Sequence, residues 1–373
     1  MTDRQAEKNA VKCQRAHVIP SLDIVIVNWN AGAQLQQCLD SIRSARCEVF
    51  ELLRVVVVDN ASSDGSANQL EASDLPLVMI RNQANRGFAA ACNQGARNSR
   101  ANYLLFLNPD CRLLSDSLSA SLHYMEQPEH MRTGIAGIQL LNFDGSVSRS
   151  CVRFPTPVHM MSAALGLARL SPKRFPHYPM TTWDHLETRE VDHVIGAFTL
   201  IRRAVFEQLG GYDERFFVYL EDLDLSQRMS KLGFTSAYLT STRAVHQGGG
   251  CSGQAKAQRL FYSLRSRILY CYKHFGWVPA TSVTLATLMI EPFLRLVYAV
   301  SREGLPEIRD TFKAYATLLP WSVKWWFKRN QRSTGNLSSK TRQPEGSNSR
   351  NREWDNHSGS DRVAAVIHSE GNR

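Results

Sequence analysis

After Pro20 the chain opens on a short, β-branched apolar run, Leu22-Asp-Ile-Val-Ile-Val27, which reads as a buried strand. Polar Asn28-Trp-Asn-Ala-Gly32 follows as a loop, and Leu35, Cys38, Leu39 and Ile42 then recur at helical spacing. The alternation repeats. A second strand, Leu52 to Val58, ends at Asp59-Asn60, and the loop Ala61-Ser-Ser-Asp-Gly-Ser66 leads into an expected helix carrying Leu70. A third strand, Leu77 to Ile80, ends near Arg81-Asn82, with small residues at helical spacing over 85–95. A fourth, Tyr103 to Leu107, ends at Asn108-Pro-Asp110. Four such units within about 110 residues predict an α/β fold with a doubly wound, mostly parallel sheet. Ligands of such sheets bind beyond the carboxyl ends of the strands, where Asp59, Arg81 and Asp110 lie.

The second half is less regular. Residues 151–190 are rich in Pro, His and Met and read as a long loop or flap. Val191 to Ile201 reads as one strand, and a short helix then ends at Leu209-Gly-Gly211. Phe216-Phe-Val-Tyr-Leu220 runs into Glu221-Asp-Leu-Asp-Leu225 and a helix ending at Gly233, with Leu225, Met229 and Leu232 as its buried stripe. Phe234 to Leu239 is another strand, followed by Val245-His246 and three glycines, and residues 255–275 look helical and basic. The apolar stretch 281–300 approaches spanning length, but Glu291, Pro292 and Arg295 interrupt it. An interfacial or re-entrant segment is the favoured reading; a spanning helix and a helix packed on the domain stay open. Residues 318–329 mix Trp with Lys and Arg, as interface anchors do, and a disordered tail is expected from Asn330.

Charge sharpens this division. The chain has 373 residues and a formal net charge of +10. Residues 1–250 hold 25 basic and 25 acidic side chains, whereas residues 251–330 hold 12 and 4. A neutral body with a basic, Trp-bearing region suits an anionic membrane surface better than nucleic acid, for which no recognition motif is present. The expected organisation is a polar extension (1–19), an α/β domain (20–275), a helical membrane-associating region (276–329) and a tail (330–373). The eight cysteines form no C-x-x-C pair, which favours reduced thiols in a cytosolic setting over zinc or disulfides. The first 20 residues lack an apolar h-region, so no signal peptide is expected.

Five positions carry candidate chemistry. Asp59, closing an apolar strand, can accept hydrogen bonds from a base or ribose. Pro109 stops the fourth strand and fixes its neighbours, which makes Asp110 a hard-oxygen ligand suited to Mg²⁺ or Mn²⁺. Glu221 and Asp222 could supply a general base near apolar surface, while helix-dipole compensation is adequate for Asp224. His246 precedes Gln-Gly-Gly-Gly, whose glycines let the backbone approach a ligand closely, and could complete a metal site.

Together these segments resemble the family 2 glycosyltransferases of GT-A fold. The resemblance rests on Ile24 to Asn30, Val55 to Ser66, Asn85 to Gly95, Leu107 to Asp110, Gly211 to Leu225 and Val245-His246, in that order, across about residues 20–275. The branch most resembled is rhamnosyltransferase-like and builds surface polysaccharides. The resemblance implies a donor-nucleotide site at Asn28, Trp29, Asp59, Arg81 and Asn108. It implies a metal at Asp110 and His246, and catalysis by Asp222 with Glu221 as its fallback. Asn108 replaces the first acid of the family's D-x-D motif. The implied reaction is inverting: a sugar moves from a nucleoside diphosphate to a hydroxyl of a lipid-linked saccharide, on the inner face of the cell membrane. An NAD-dependent oxidoreductase is excluded by the missing G-x-G-x-x-G after the first strand. A sugar-nucleotide nucleotidyltransferase and an inactive membrane-associated scaffold stay open.

Overall fold

The computed structural model describes residues 19–339, apart from residues 46, 69, 72, 168–170, 172–173, 176–177, 249–255 and 301–304 and the side chains of 330 and 332–339. The expected N-terminal extension lies almost wholly outside the described residues.

β1 (Ser21–Asn28) is buried along nearly its whole length, so both of its faces need cover. Leu22, Ile24 and Ile26 point to one layer, with Leu35, Cys38, Leu39 and Ile42 of α1 (Gln34–Ala45). Val25 and Val27 point to the other, with Ala89, Ala91 and Cys92 of α2 (Phe88–Ala96). A strand covered on both sides reads as a continuous apolar run, which is the pattern in the sequence. Each buried Leu or Ile contributes about 1.5–3 kcal/mol, so these layers hold the sheet in place.

β1 pairs in parallel with β2 (Glu51–Asp59) and β4 (Tyr103–Leu107), and β2 pairs in parallel with β3 (Leu77–Arg81). Then follow β5 (Cys111–Leu113), α3 (Ser117–Glu126) and β6 (Thr133–Leu141). Short strands β7 (Cys151–Val152), β8 (Arg189–Val191) and β9 (His193–Val194) flank α4 (Pro157–Ala164). The order continues with β10 (Phe198–Arg202), α5 (Arg203–Gln208), α6 (Glu221–Lys231) and β11 (Thr235–His246). The main sheet runs β3-β2-β1-β4-β10-β6-β11-β5, with β8 paired to β11. β10 is antiparallel to both neighbours, while β11 is again parallel to β6. The doubly wound, mostly parallel sheet of the sequence reading is thus present, with this antiparallel strand inside it.

Four local expectations change. Residues 66–75 form turns among the described residues, not a helix. The flap at 151–190 contains α4, started by Thr156 as a capping box with His159 and by Pro157 in the first turn. Val191 to Ile201 is broken, because Gly196 turns the chain between β9 and β10. Leu232 is 45% exposed and leaves the buried stripe of α6.

Beyond the sheet, α7 (Lys256–His274) leads to α8 (Trp277–Leu285), a π-helical turn (Ala286–Ile290) and α9 (Glu291–Tyr298). α10 is Leu305–Ser339, so residues 330–339 are helical where a tail was expected; the remainder lies outside the described residues. The chain divides into two compact units, one ending at Tyr315 and one beginning at Ala316. The six described cysteines are all free thiols.

Gly87 fixes the approach of two distant segments. It precedes α2 at φ 85° and ψ 164°, a region open essentially to glycine. A Cβ there would lie 2.5 Å from the backbone oxygen of Phe217, which itself accepts a hydrogen bond from Phe88 N–H at 2.6 Å. Gly87→Ala should therefore destabilise the protein by at least about 1–3 kcal/mol. Urea unfolding checks this, and a variant as stable as the parent overturns it.

Candidate active site

The ends of β1 and β2 are adjacent in register, Asn28 beside Asp59. Asn28 Nδ2 donates to Asp59 Oδ1 at 2.9 Å, to Ser62 Oγ at 3.0 Å and to Ser66 Oγ at 2.9 Å. Asn30 N–H donates to Ser62 Oγ at 3.0 Å, and Gly32 N–H donates to Asp64 Oδ2 at 2.8 Å. The two loops are thus laced together, and Asn28 Oδ1 is left buried without a hydrogen-bond partner among the described residues. Trp29 is half-buried in the same loop. Arg81 lies beside Asp59 on β3, but its exposed guanidinium donates to Ala67 O and Asn68 Oδ1, holding the 66–68 turn.

A second group forms where β4 ends. Asn108 N–H donates to Ala197 O at 3.0 Å, which ties the Asn108-Pro109-Asp110 turn to the loop before β10. β5 and β11 pair His246 with Cys111, and Asp110 O accepts from Gln247 N–H at 3.2 Å. His246 Nε2 therefore stands 3.3 Å from Asp110 Oδ1. That carboxylate oxygen is buried and has no hydrogen-bond partner among the described residues. An oxygen stripped of water and left without a donor, next to an imidazole, fits a divalent cation. Cys111 Sγ also lies within 4.8 Å of these ligand atoms. It donates instead to Ala197 O at 3.4 Å, and burial, then the Asp110 charge, pushes its pKa well up, so it stays a thiol.

The third group opens α6. Tyr219 and Leu220 both have positive φ, 70° and 64°, an uncommon and strained conformation immediately before the acids. This turn drives Glu221 inward, to 4% exposure, and leaves the Asp222 side chain 20% exposed. Asp222 Oδ2 accepts from Gly196 N–H at 2.8 Å, and Oδ1 accepts from Leu223 N–H at 2.8 Å. Burial, then the charge of Asp222, holds the Glu221 carboxyl well above the usual carboxylate range. Burial also opposes the Asp222 charge, but His193 and these backbone donors outweigh it and lower the pKa of Asp222. The pair thus divides into a neutral acid facing the interior and an ionised carboxylate facing outward. Asp224 does more than balance the helix dipole. It is fully buried and paired with Arg228, Lys273 and His274, which binds α6 to α7.

Gly196 and Ala197 join these groups, one to Asp222 and the next to Asn108. The model of the family described as Glycosyl transferase family 2 matches residues 23–210. The chain belongs to that family.

Relatives sharpen the family assignment. The N-acetylglucosaminyl-diphospho-decaprenol L-rhamnosyltransferase of Mycobacterium tuberculosis is 29% identical over 278 residues, covering 69% of this chain and 86% of the relative. The rhamnosyltransferase WbbL of Escherichia coli is 29% identical over 147 residues, covering 39% and 52%. Among solved structures, TarS of S. aureus with UDP-GlcNAc aligns with a TM-score of 0.48 at 15% identity, covering 79% of each chain. The family match ends before α6 and β11 and does not reach Glu221, Asp222 or His246.

In this glycosyltransferase the sequence reading passed over His193, Ser226 and Gly196, which sit around Asp222. Gly196 inside an apolar run was the available signal, since glycine in a strand marks a bulge or close approach. A Cβ at Gly196 would lie 3.0 Å from Asp222 Oδ2.

A neutral Glu221 has a consequence for stability. Its folded-state pKa is raised, so the stability it contributes is full below the unfolded pKa of about 4.3 and is lost as pH rises through the folded value. Glu221→Gln removes that loss. The variant should gain on the parent at neutral pH and match it near pH 4, as read from urea midpoints. A parent that outlasts the variant at pH 7 would reverse the assignment.

Proposed function

We propose that the chain is an inverting glycosyltransferase. It moves a sugar, rhamnose on the strength of its relatives' names, from a nucleoside diphosphate to a hydroxyl of a lipid-linked saccharide. The observation that carries this reading is the link through Gly196 and Ala197, which joins an ionised, outward-facing Asp222 to the Asn108–Asp110 turn. A base and a leaving-group site on the two sides of one short loop suit a single displacement.

The chain's own groups divide the work. Asp59, aimed by Asn28, receives a polar N–H or O–H of the donor's nucleoside, and the unpartnered Asn28 Oδ1 offers a second acceptor. Trp29 gives that nucleoside an apolar surface, and Arg81 secures the turn beside it. Asn108 donates to a ribose or phosphate oxygen. Asp110 and His246 would hold Mg²⁺ or Mn²⁺, whose contribution when bound is to neutralise charge on the diphosphate. Asp222 removes the acceptor's proton, and attack from the face opposite the leaving group inverts the anomeric centre. Glu221, already protonated, is a poor base in this state and serves to keep charge density off its neighbour's inner side.

The helices after α7 support placement on a membrane. Trp277–Tyr298 is 22 residues of helix, long and apolar enough to cross a membrane by length and composition alone. Its charges point inward: Glu291 is 3% exposed and pairs with Arg267 and Arg295. Outward lie Val278, Leu285, Met289, Phe293 and Val297, spaced seven and then four apart and 54–68% exposed. A face of this kind on a helix with its charges turned in lies in the interface, apolar side down. Within the second unit, Val323, Trp326 and Phe327 are exposed among Lys324, Lys328 and Arg329. We read the protein as peripheral, on the inner face of the cell membrane, with anionic lipid adding about 1 kcal/mol per basic residue near the surface.

A donor screen by mass spectrometry, with nucleotide sugars and simple or lipid-linked saccharide acceptors, tests the activity. Asp222→Asn should still bind donor but lose roughly 10²–10⁴ in turnover, and Asp110→Ala or EDTA should abolish transfer. Full turnover by Asp222→Asn removes the base from its role, and full turnover in EDTA removes the metal.

Membrane placement has its own test. High salt should release part of the protein from anionic vesicles and detergent all of it. Met289→Asp with Phe293→Asp should leave the fold intact and move the protein to the soluble fraction. Undiminished vesicle binding by that double variant overturns the placement.

A further inference from the structure

His193 lies beside the proposed base but takes no proton from the substrate. It lies on β9, 3% exposed, opposite Val152 of β7. Its Nδ1 is 2.9 Å from Ser226 Oγ, and its Nε2 is 3.4 Å from Asp222 Oδ2. Asp222 and Ser226 are four residues apart on α6, one helical turn, so they lie on one face and grip the ring between them. Ser226 is itself 1% exposed, so its hydroxyl has little access to water.

The protonation pattern follows from the partners. An ionised Asp222 has no proton to give, so Nε2 carries the hydrogen toward it. Nδ1 then accepts from the Ser226 hydroxyl, which fixes the tautomer. The Nε2 distance is long for a hydrogen bond, as contacts to catalytic groups often are before substrate closes the site.

No other basic side chain among the described residues plays this part. Glu221 of the same helix is neutral. Cys92 of α2, Tyr212 ahead of α6 and Tyr178 of the flap also feel the Asp222 charge, and none of them is basic.

We infer that His193 is a positioning residue for this reaction: buttressed by Ser226, it presents an N–H to Asp222 and sets the aim of that carboxylate. The inference rests on the reading of Asp222 as base. In the reaction, Asp222 takes the proton of the acceptor oxygen as that oxygen forms the new glycosidic bond and the nucleoside diphosphate departs with the old bond's electrons. His193 keeps its own proton throughout and orders the Asp222 oxygens, leaving a lone pair of Asp222 directed outward.

Three variants separate the possibilities, with turnover read on the donor and acceptor returned by the screen. His193→Phe keeps a ring but offers no donor. It should lower kcat roughly tenfold or more with donor KM unchanged, and the acid limb of kcat should move to higher pH, because Asp222 loses a group that favours its charge. His193→Gln keeps an N–H and should recover most of the loss. Asp222→Asn is the reference. A second readout needs no turnover: ¹⁵N imidazole NMR, with His193 assigned through the Gln variant among the 11 histidines, should show Nε2 protonated and Nδ1 bare. A folded His193→Phe protein with parental kcat and an unmoved acid limb overturns the inference and leaves Asp222 its role. So does a His193 that carries its proton on Nδ1. Full turnover by Asp222→Asn instead overturns the base assignment beneath it.

Discussion

Two carboxyl groups at consecutive positions, withdrawn from water, cannot both carry charge at an acceptable cost, and the turn into α6 is built around that constraint. The left-handed conformations of Tyr219 and Leu220 send Glu221 inward and Asp222 outward. The interior neutralises the first, and Gly196, Leu223 and His193 stabilise charge on the second. Such strain persists where the surroundings over-determine it. Here they do: Phe217 is held against Gly87, and Asp224, one turn on, is locked by Arg228, Lys273 and His274. Removing any one partner from the Asp224 cluster would strand a buried charge, so the cluster is rigid by necessity.

The same logic shapes the helices that follow. Lys273 and His274 close α7, and the chain passes within three residues into the apolar α8. Arg267 of α7 meets Glu291 at 2.5 Å, and Glu291 also receives Arg295 from the next turn of α9. Charges that looked like interruptions of an apolar stretch are instead the pins that hold it to α7. With them turned inward, the outer face is left almost wholly apolar. α7 thus carries, at one end of its inner face, the cluster that fixes α6 and, two turns earlier, the pair that fixes the apolar face.

How much of this could be read beforehand depended on whether the cause was local. The strand ends were legible, because a β-branched run closed by Asp59 or by Asn108-Pro109-Asp110 writes its boundary in consecutive residues. So was α6, whose apolar stripe and acidic first turn share one helix; Leu232 failed only because the helix ends beneath it. The role of Asp224 was misjudged because its partners Lys273 and His274 lie some fifty positions away, and helix-dipole reasoning sees one helix at a time. His193 was hidden for the same reason: within Val191-Asp-His-Val-Ile-Gly-Ala-Phe198 it looks like one polar position in a strand, and only the Gly196 turn brings it to Asp222. Residues 66–75 miscarried differently. Ser62, Asp64 and Ser66 bond Asn28, Asn30 and Gly32 across the loops, and those tertiary bonds replace the helix that local spacing favoured.

The replacement of an acid by Asn108 becomes intelligible in this setting. A metal grip of two carboxylates would place two negative charges beside a diphosphate that already carries its own. On the reading proposed, Asp110 with His246 would supply one charge and one nitrogen, while Asn108, held by its backbone to Ala197, would keep its amide for the donor. Such a grip binds a bare cation weakly, since affinity for hard divalent ions rises with the number of charged oxygens. The donor's phosphate oxygens would supply the charge that the protein leaves out. On the reading proposed, Asp110 and His246 would hold the ion beside the diphosphate, where its contribution is to neutralise charge on the leaving group.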